Sequence, residues 1–161
     1  MPGIKVVGME VFNKTLDKLA SEISHINNMA LYEAAGYVAD KISKAIQNMP
    51  TRSEEEYATD KWKLYGATES EKQQIAENFG VSRFRHSDGT TMVSIGFTGY
   101  VRTPSTRFND MVPTGMLMQC INYGNQYRRG THTIDHAVSG IKAEVEQIIQ
   151  SKIDEEISKL E

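Results

Sequence analysis

Residues 81–97 read VSRFRHSDGTTMVSIGF, and within this stretch the apolar period changes. Thr91, Val93, Ile95 and Phe97 alternate with Met92, Ser94 and Gly96, the two-residue period of a half-buried strand. Asp88-Gly89 is a favoured two-residue turn, so the segment predicts a β-hairpin. Everything upstream of it reads differently. Phe12, Leu16, Leu19, Ile23 and Ile26 recur at 4-3-4-3 spacing, which lines one face of a helix. Leu31, Ala34, Val38, Ile42, Ala45 and Met49 form a second series, stopped by Pro50. Asn27-Asn28 divides the two and offers a cap for the second helix, with one continuous helix as the alternative.

A third helix opens at Thr68, where Thr68 and Glu71 fit a capping box. Ile75 and Phe79 give its inner face, and Gly80 stands where a C-cap is wanted. Beyond the hairpin, Thr114 is placed to cap a short helix carrying Leu117, Cys120 and Ile121, which Gly124 would end. Thr133 then opens a last helix through Val138, Ile141, Val145, Ile148, Ile149, Ile153, Ile157 and Leu160. At about 27 residues it would be ~40 Å long, more than a compact domain of this size spans, so its far end should protrude or meet another subunit. The pattern predicts an α+β fold: a small antiparallel sheet, from the hairpin plus an N-terminal strand at Ile4–Val7, packed by long helices. Residues 1–161 form one domain, with 50–67 and 98–113 as long loops.

The 161 residues carry 18 basic and 21 acidic side chains, 39% hydrophobic residues and one cysteine. Global disorder is excluded by that balance. No apolar run approaches the ~18–20 residues of a membrane helix, and charges break the short apolar run at the N-terminus, which is not read as a signal peptide. Cys120 alone makes neither an intramolecular disulfide nor a cysteine-based zinc site, and the chain reads as made in a reducing cytosol. Charge is uneven. Residues 81–130 hold six arginines (Arg83, Arg85, Arg102, Arg107, Arg128, Arg129), no lysine and two acids, a balance of +4. The remainder holds 12 basic and 19 acidic residues, a balance of −7. Arginine's planar fork suits carboxylates, phosphates and aromatic faces, so this third is either a contact surface or a set of solvated strand positions.

Catalytic patterns are sparse. His132, Asp135 and His136 form the one metal-like cluster, but Thr133 as a cap would leave His132 outside the helix and void the i,i+4 spacing. The cluster also lacks the glutamate that serves as general base in helical zinc proteases. No GxSxG, phosphate-loop or GxGxxG pattern occurs. The sequence therefore predicts a protein that is not an enzyme and that carries no metal and no cofactor. Arg83-Phe84-Arg85 and Arg107-Phe108 interleave bases with aromatics, but the acidic overall balance argues against a sequence-reading DNA binder. Two rival readings are a small metal-dependent hydrolase on His132, Asp135 and His136, and a stand-alone nucleic-acid module on the central arginines.

The order of blocks carries a resemblance. A start at Gly8-Met9-Glu10 and the helix FNKTLDKL precede the small-residue helix ALYEAAGYVADKISKAIQNMP. TESEKQQIAENFGVSRFR, the strand end VSIGFTGY, the helix end INYGN and the segment THTIDHAV then follow. This resembles the bacteriophage tail-component family, also called head–tail joining, neck or tail-completion proteins. Members commonly follow the Tyr/Ser-Gly pair with a Pro-Phe-Ile/Leu-Arg-Pro-Ala run; this chain keeps Ile134 and Ala137 without the prolines or the arginine. The resemblance implies a non-enzymatic virion protein of the neck, assembled in the bacterial host cytoplasm. It implies a homo-oligomeric ring, six-fold by the usual neck symmetry. Neighbours would be head-connector or stopper proteins on one side and tail-terminator or tail-tube proteins on the other, with DNA passing through unread and no membrane contact. The interface residues expected are Arg102, Arg107, Arg128, Arg129, Tyr123, Gly124 and His132.

Overall fold

The computed structural model describes residues 9–53, 55 and 64–159. It is an α+β fold. The strand expected at Ile4–Val7 lies outside the described residues. Helix α1 (Met9–Gln47) runs unbroken for 39 residues, about 58 Å at 1.5 Å per residue. The cap expected at Asn27-Asn28 is therefore not used. α1 runs through both asparagines in spite of their weak helix propensity, and Asn28 is left with a buried Oδ1 that has no hydrogen-bond partner among the described residues.

The stretch 50–67, expected as loop, carries among its described residues the two-residue strands β1 (Thr51–Arg52) and β2 (Leu64–Tyr65) and the start of β3 (Ala67–Thr68). β1 pairs with β3 in parallel. Helix α2 (Glu69–Glu77) starts on the predicted capping box: Glu71 N–H donates to Thr68 Oγ1 at 3.1 Å, and Thr68 N–H donates to a Glu71 carboxylate oxygen at 3.0 Å. It ends on Asn78, two residues before the expected cap, and Gly80 sits instead in β4 (Phe79–Val81).

The hairpin is present but kinked. β5 (Arg85–Ser87) and β6 (Thr90–Met92) join through Asp88 at φ 50° and Gly89 at φ 74°, both left-handed as a type I′ turn requires. β7 (Ile95–Phe97) leaves β5 and pairs with β4, Phe79 facing Phe97 and Val81 facing Ile95. Between Val81↔Ile95 and Arg85↔Met92 the first strand has one residue more than the second, a bulge that bends the ribbon. Phe84 in that bulge packs on Tyr32 of α1, ring centres 5.5 Å apart.

Residues 98–113 are a second hairpin rather than an irregular loop. β8 (Tyr100–Arg102) pairs antiparallel with β9 (Met111–Pro113). Val101 faces Val112, and both are buried. Pro113, which reads as a loop residue, is accommodated as the last residue of β9. Helix α3 (Thr114–Tyr123) follows with Pro113 as N-cap, so Thr114 does not cap it. The Thr114 hydroxyl instead accepts from Asn78 Nδ2 at 2.9 Å, tying α3 to the end of α2.

The long last helix divides. α4 (Thr133–Val138) and α5 (Lys142–Ser158) are separated at Ser139 and Gly140, the latter at φ 76°. The apolar spacing keeps register across this break, which is why periodicity alone reads one helix. α5 spans about 26 Å and packs antiparallel on α1: the Tyr37 hydroxyl bonds Glu144, and Lys152 lies 3.7 Å from Glu33. The overlong element is α1, not the C-terminal helix. The core gathers Ile42 and Ile46 of α1, Met49 just beyond its end, Ile75 of α2, Val101 and Val112 of the second hairpin, and Leu117, Met118 and Ile121 of α3.

Candidate interaction surface

The predicted interface residues fall into two groups. Arg102 and Arg107 belong to the second hairpin. Strand alternation sends Val101 and Val112 inward, so Tyr100, Arg102 and Met111 share the outer face. Tyr100 is 59% exposed and Met111 45%. The connection between the strands is closed by its own bonds: Thr103 N–H donates to Asp110 O at 3.1 Å, and Ser105 N–H to Asp110 Oδ1 at 2.8 Å. Asn109 and Asp110 both take positive φ to make that turn. Arg107 lies on it with its guanidinium carbon 5.3 Å from the centre of the Phe108 ring.

Tyr123, Gly124, Arg128, Arg129 and His132 belong to the turn after α3. Gly124 ends that helix, its N–H donating to Cys120 O at 2.9 Å, at φ 83° and ψ 171°. That is a region glycine alone occupies without strain. A Cβ there would stand 2.7 Å from Gly130 N and 2.9 Å from Arg128 O. The chain doubles back: Thr131 N–H donates to Ile121 O and His132 N–H to Asn122 O, each at 2.9 Å. β10 (Arg128–Arg129) pairs in parallel with β2.

On β10 the two arginines go opposite ways. Arg129 is exposed, its guanidinium carbon 5.8 Å from the centre of the Tyr65 ring. Arg128 is spent inside the fold, its side chain only 7% exposed. Its Nη2 donates to Glu71 Oε1 at 2.7 Å and its Nη1 to Gly66 O at 3.1 Å. Thr103 Oγ1 donates to the same Glu71 oxygen at 2.6 Å. Glu71 thus receives the start of α2, the second hairpin and the turn after α3 on one carboxylate. Sequence reasoning saw only its capping role; Arg128 stands 57 residues away, and no local pattern announces the pair.

His132 is exposed and left-handed, at φ 52°. Its Nδ1 lies 3.1 Å from Asp135 Oδ2, and the Tyr123 hydroxyl donates to Asp135 Oδ1 at 3.2 Å. The bond to His132 above all, with those from Asn122 and Tyr123, holds the Asp135 carboxyl below the ordinary carboxylate range. Asn122, buried on α3, accepts the Ile134 N–H at 2.8 Å, the capping service expected of Thr133. The Thr133 hydroxyl bonds Thr131 instead. His132 and His136 stack edge to face, ring centres 6.2 Å apart. Among the described residues no group of three or more His, Cys, Asp or Glu side chains is placed to hold a metal ion, and no helix is long and apolar enough to cross a membrane.

Arg102, Arg107 and Arg129 with Tyr100, Met111 and Tyr123 therefore make up an exposed set of the residue types enriched at protein interfaces. No family model, curated protein or solved structure matches the chain.

Proposed function

We propose that the chain is a structural subunit of a bacteriophage neck, a ring component that joins the head connector to the tail. The observation that carries this reading is the second hairpin. Its inner face is anchored by Val101 and Val112, its root is tied through Thr103 to Glu71, and its outer face offers Tyr100, Arg102 and Met111 to solvent. A contact surface held this way loses little freedom on docking, which lowers the cost of association. The resemblance in block order supplies the kind of partner: connector or stopper proteins above, tail-terminator or tail-tube proteins below, and copies of itself beside. A heterologous contact between copies closes as a ring when its rotation divides the circle, and we assign it six-fold symmetry in the virion. In this reading Arg107 and Arg129, both exposed, meet an acidic neighbour or DNA moving through the ring unread.

Complementation of a phage lacking this gene tests the reading. The double variant Arg102→Ala/Arg107→Ala should lower plaque titre, with full heads and unattached tails accumulating in the lysate. Reconstruction of wild-type particles should place six copies at the neck. Normal titres from the double variant, or three- or four-fold copy numbers, would overturn it.

A further inference from the structure

In the last third of the chain the apolar spacing and the backbone disagree at two residues. Ile134, Val138, Ile141, Val145 and Ile148 recur at 4-3-4-3 steps, one uninterrupted helical face. The backbone leaves the helix at Ser139, with φ −65° and ψ 125°, and at Gly140, with φ 76°. Ile141 is back in the right-handed region. No proline stands in this run, and a Cβ at Gly140 would meet nothing within 4 Å. Glycine is therefore needed there for its left-handed φ and not for space.

The two sides of the bend are held differently. Ile134, Ala137 and Val138 of α4 pack against the central core. Among the described residues none of α5 packs against that core, and no side chain of α5 is fully buried. Val145, Ile148, Ile149 and Ile153 are only half-buried where α5 packs on α1. Polar groups complete that seam: the Tyr37 hydroxyl bonds Glu144, and Lys152 lies 3.7 Å from Glu33. α4 is rooted in the body, and α5 is an arm laid along α1.

We infer that Ser139–Gly140 is a hinge through which α5 passes from its own α1 to the α1 of a second copy. In the exchanged form α4 and α5 run on as one helix of about 39 Å. The seam itself names the occupant. An α5 swung outward leaves its apolar face and its place on α1 both open. The α5 of a second copy refills that place with the contacts already seen, Glu144 to Tyr37 and Lys152 to Glu33. The two forms differ in backbone only at the hinge, and exchange of an identical element is a low-cost route to association. The inference stands apart from the neck reading and concerns the isolated chain.

Two variants push the hinge in opposite directions. Gly140→Ala penalises the left-handed φ and favours the continuous helix, which should shift the balance toward exchange on the order of 30-fold or more per chain. Ser139→Pro suits the bend, where φ is already −65°, and opposes a helix running through it. Sedimentation of the full chain across a concentration series should show more dimer for Gly140→Ala than for wild type. Adding Ser139→Pro to Gly140→Ala should restore the monomer. Carbodiimide coupling of Lys152 to Glu33 then separates exchange from any other pairing, in dimers grown from isotope-labelled and unlabelled chains mixed. Coupled peptides should join a labelled chain to an unlabelled one. A Gly140→Ala chain that stays monomeric, dimers coupled only within one chain, or association that Ser139→Pro leaves unchanged would each overturn the inference. If Gly140→Ala fails to fold, wild type incubated at high concentration takes its place, and the same three outcomes decide. The phage-neck reading would survive all of them.

Discussion

The Glu71–Arg128 and His132–Asp135 pairs each set a nitrogen-bearing side chain against a carboxylate, and they lie at either end of one turn of chain. The first is sealed, with side chains 2% and 7% exposed; the second is open, at 54% and 41%. In the sealed pair the two side chains come from elements 57 residues apart. In the open pair the partners are three residues apart. Water competes for the open pair and screens it, so the pair orients local groups without holding the fold. Removing one side of the sealed pair leaves a charge that water cannot reach. The same chemistry thus serves as a clamp in one place and as surface furniture in the other, and burial decides which.

The comparison breaks first at the clamp. Glu71→Ala should cost about 3–5 kcal/mol, the scale for stranding one buried charge, read from the urea midpoint of the full chain. Glu71→Ala/Arg128→Ala should be no worse than either single change, because the second removes the group that the first strands. Additive losses would show that the pair is not the unit. Gly124→Val comes next, at about 1–3 kcal/mol, because the turn carrying both Arg128 and His132 needs a positive φ there and has no room for a Cβ. Unchanged stability would mean that the backbone turns elsewhere.

Asp135→Asn sharpens the contrast from the open side. The Asp135 carboxyl is held below its ordinary range in the fold, so its contribution is present above the unfolded value of about 3.9. That contribution is lost as pH falls through the folded value. The gap between wild type and Asp135→Asn should accordingly narrow in acid; a gap constant across pH would remove the charge from the explanation. Smallest of all, Arg102→Ala/Arg107→Ala should move the stability of the isolated subunit by less than about 0.5 kcal/mol, even where it abolishes complementation.

Features written in adjacent residues were legible. Thr68 with Glu71 states its capping box three residues apart, and Asp88-Gly89 states its turn in two. Gly124 as a helix end was also readable, since an amphipathic run stops on it. What failed was whatever depends on distant cover or on a glycine that keeps register. Asn27-Asn28 looks like a boundary, yet α1 runs through it without a break. Val138, Ile141 and Val145 keep helical spacing across Gly140, so the break leaves no mark in the pattern. Residues 98–113 read as loop because of their prolines, while the Val101–Val112 pair that organises them spans eleven residues. Among the candidate interface residues, Arg102, Arg107, Arg129, Tyr123 and His132 are exposed. Arg128 is not, because its carboxylate partner lies in another element.

α1 is made well before its α5 partner, with about 95 residues of chain between them. At ~5–20 residues per second a ribosome needs roughly 5–20 s to cover that interval. Throughout it, the stretch of α1 destined to meet α5 has no helix of its own chain to pack on. Newly made α1 segments on neighbouring ribosomes of one message would meet at high local concentration during those seconds. Slowing synthesis between codons 48 and 141 should therefore lower the yield of soluble protein, and co-expressing residues 142–161 as a separate peptide should restore part of it.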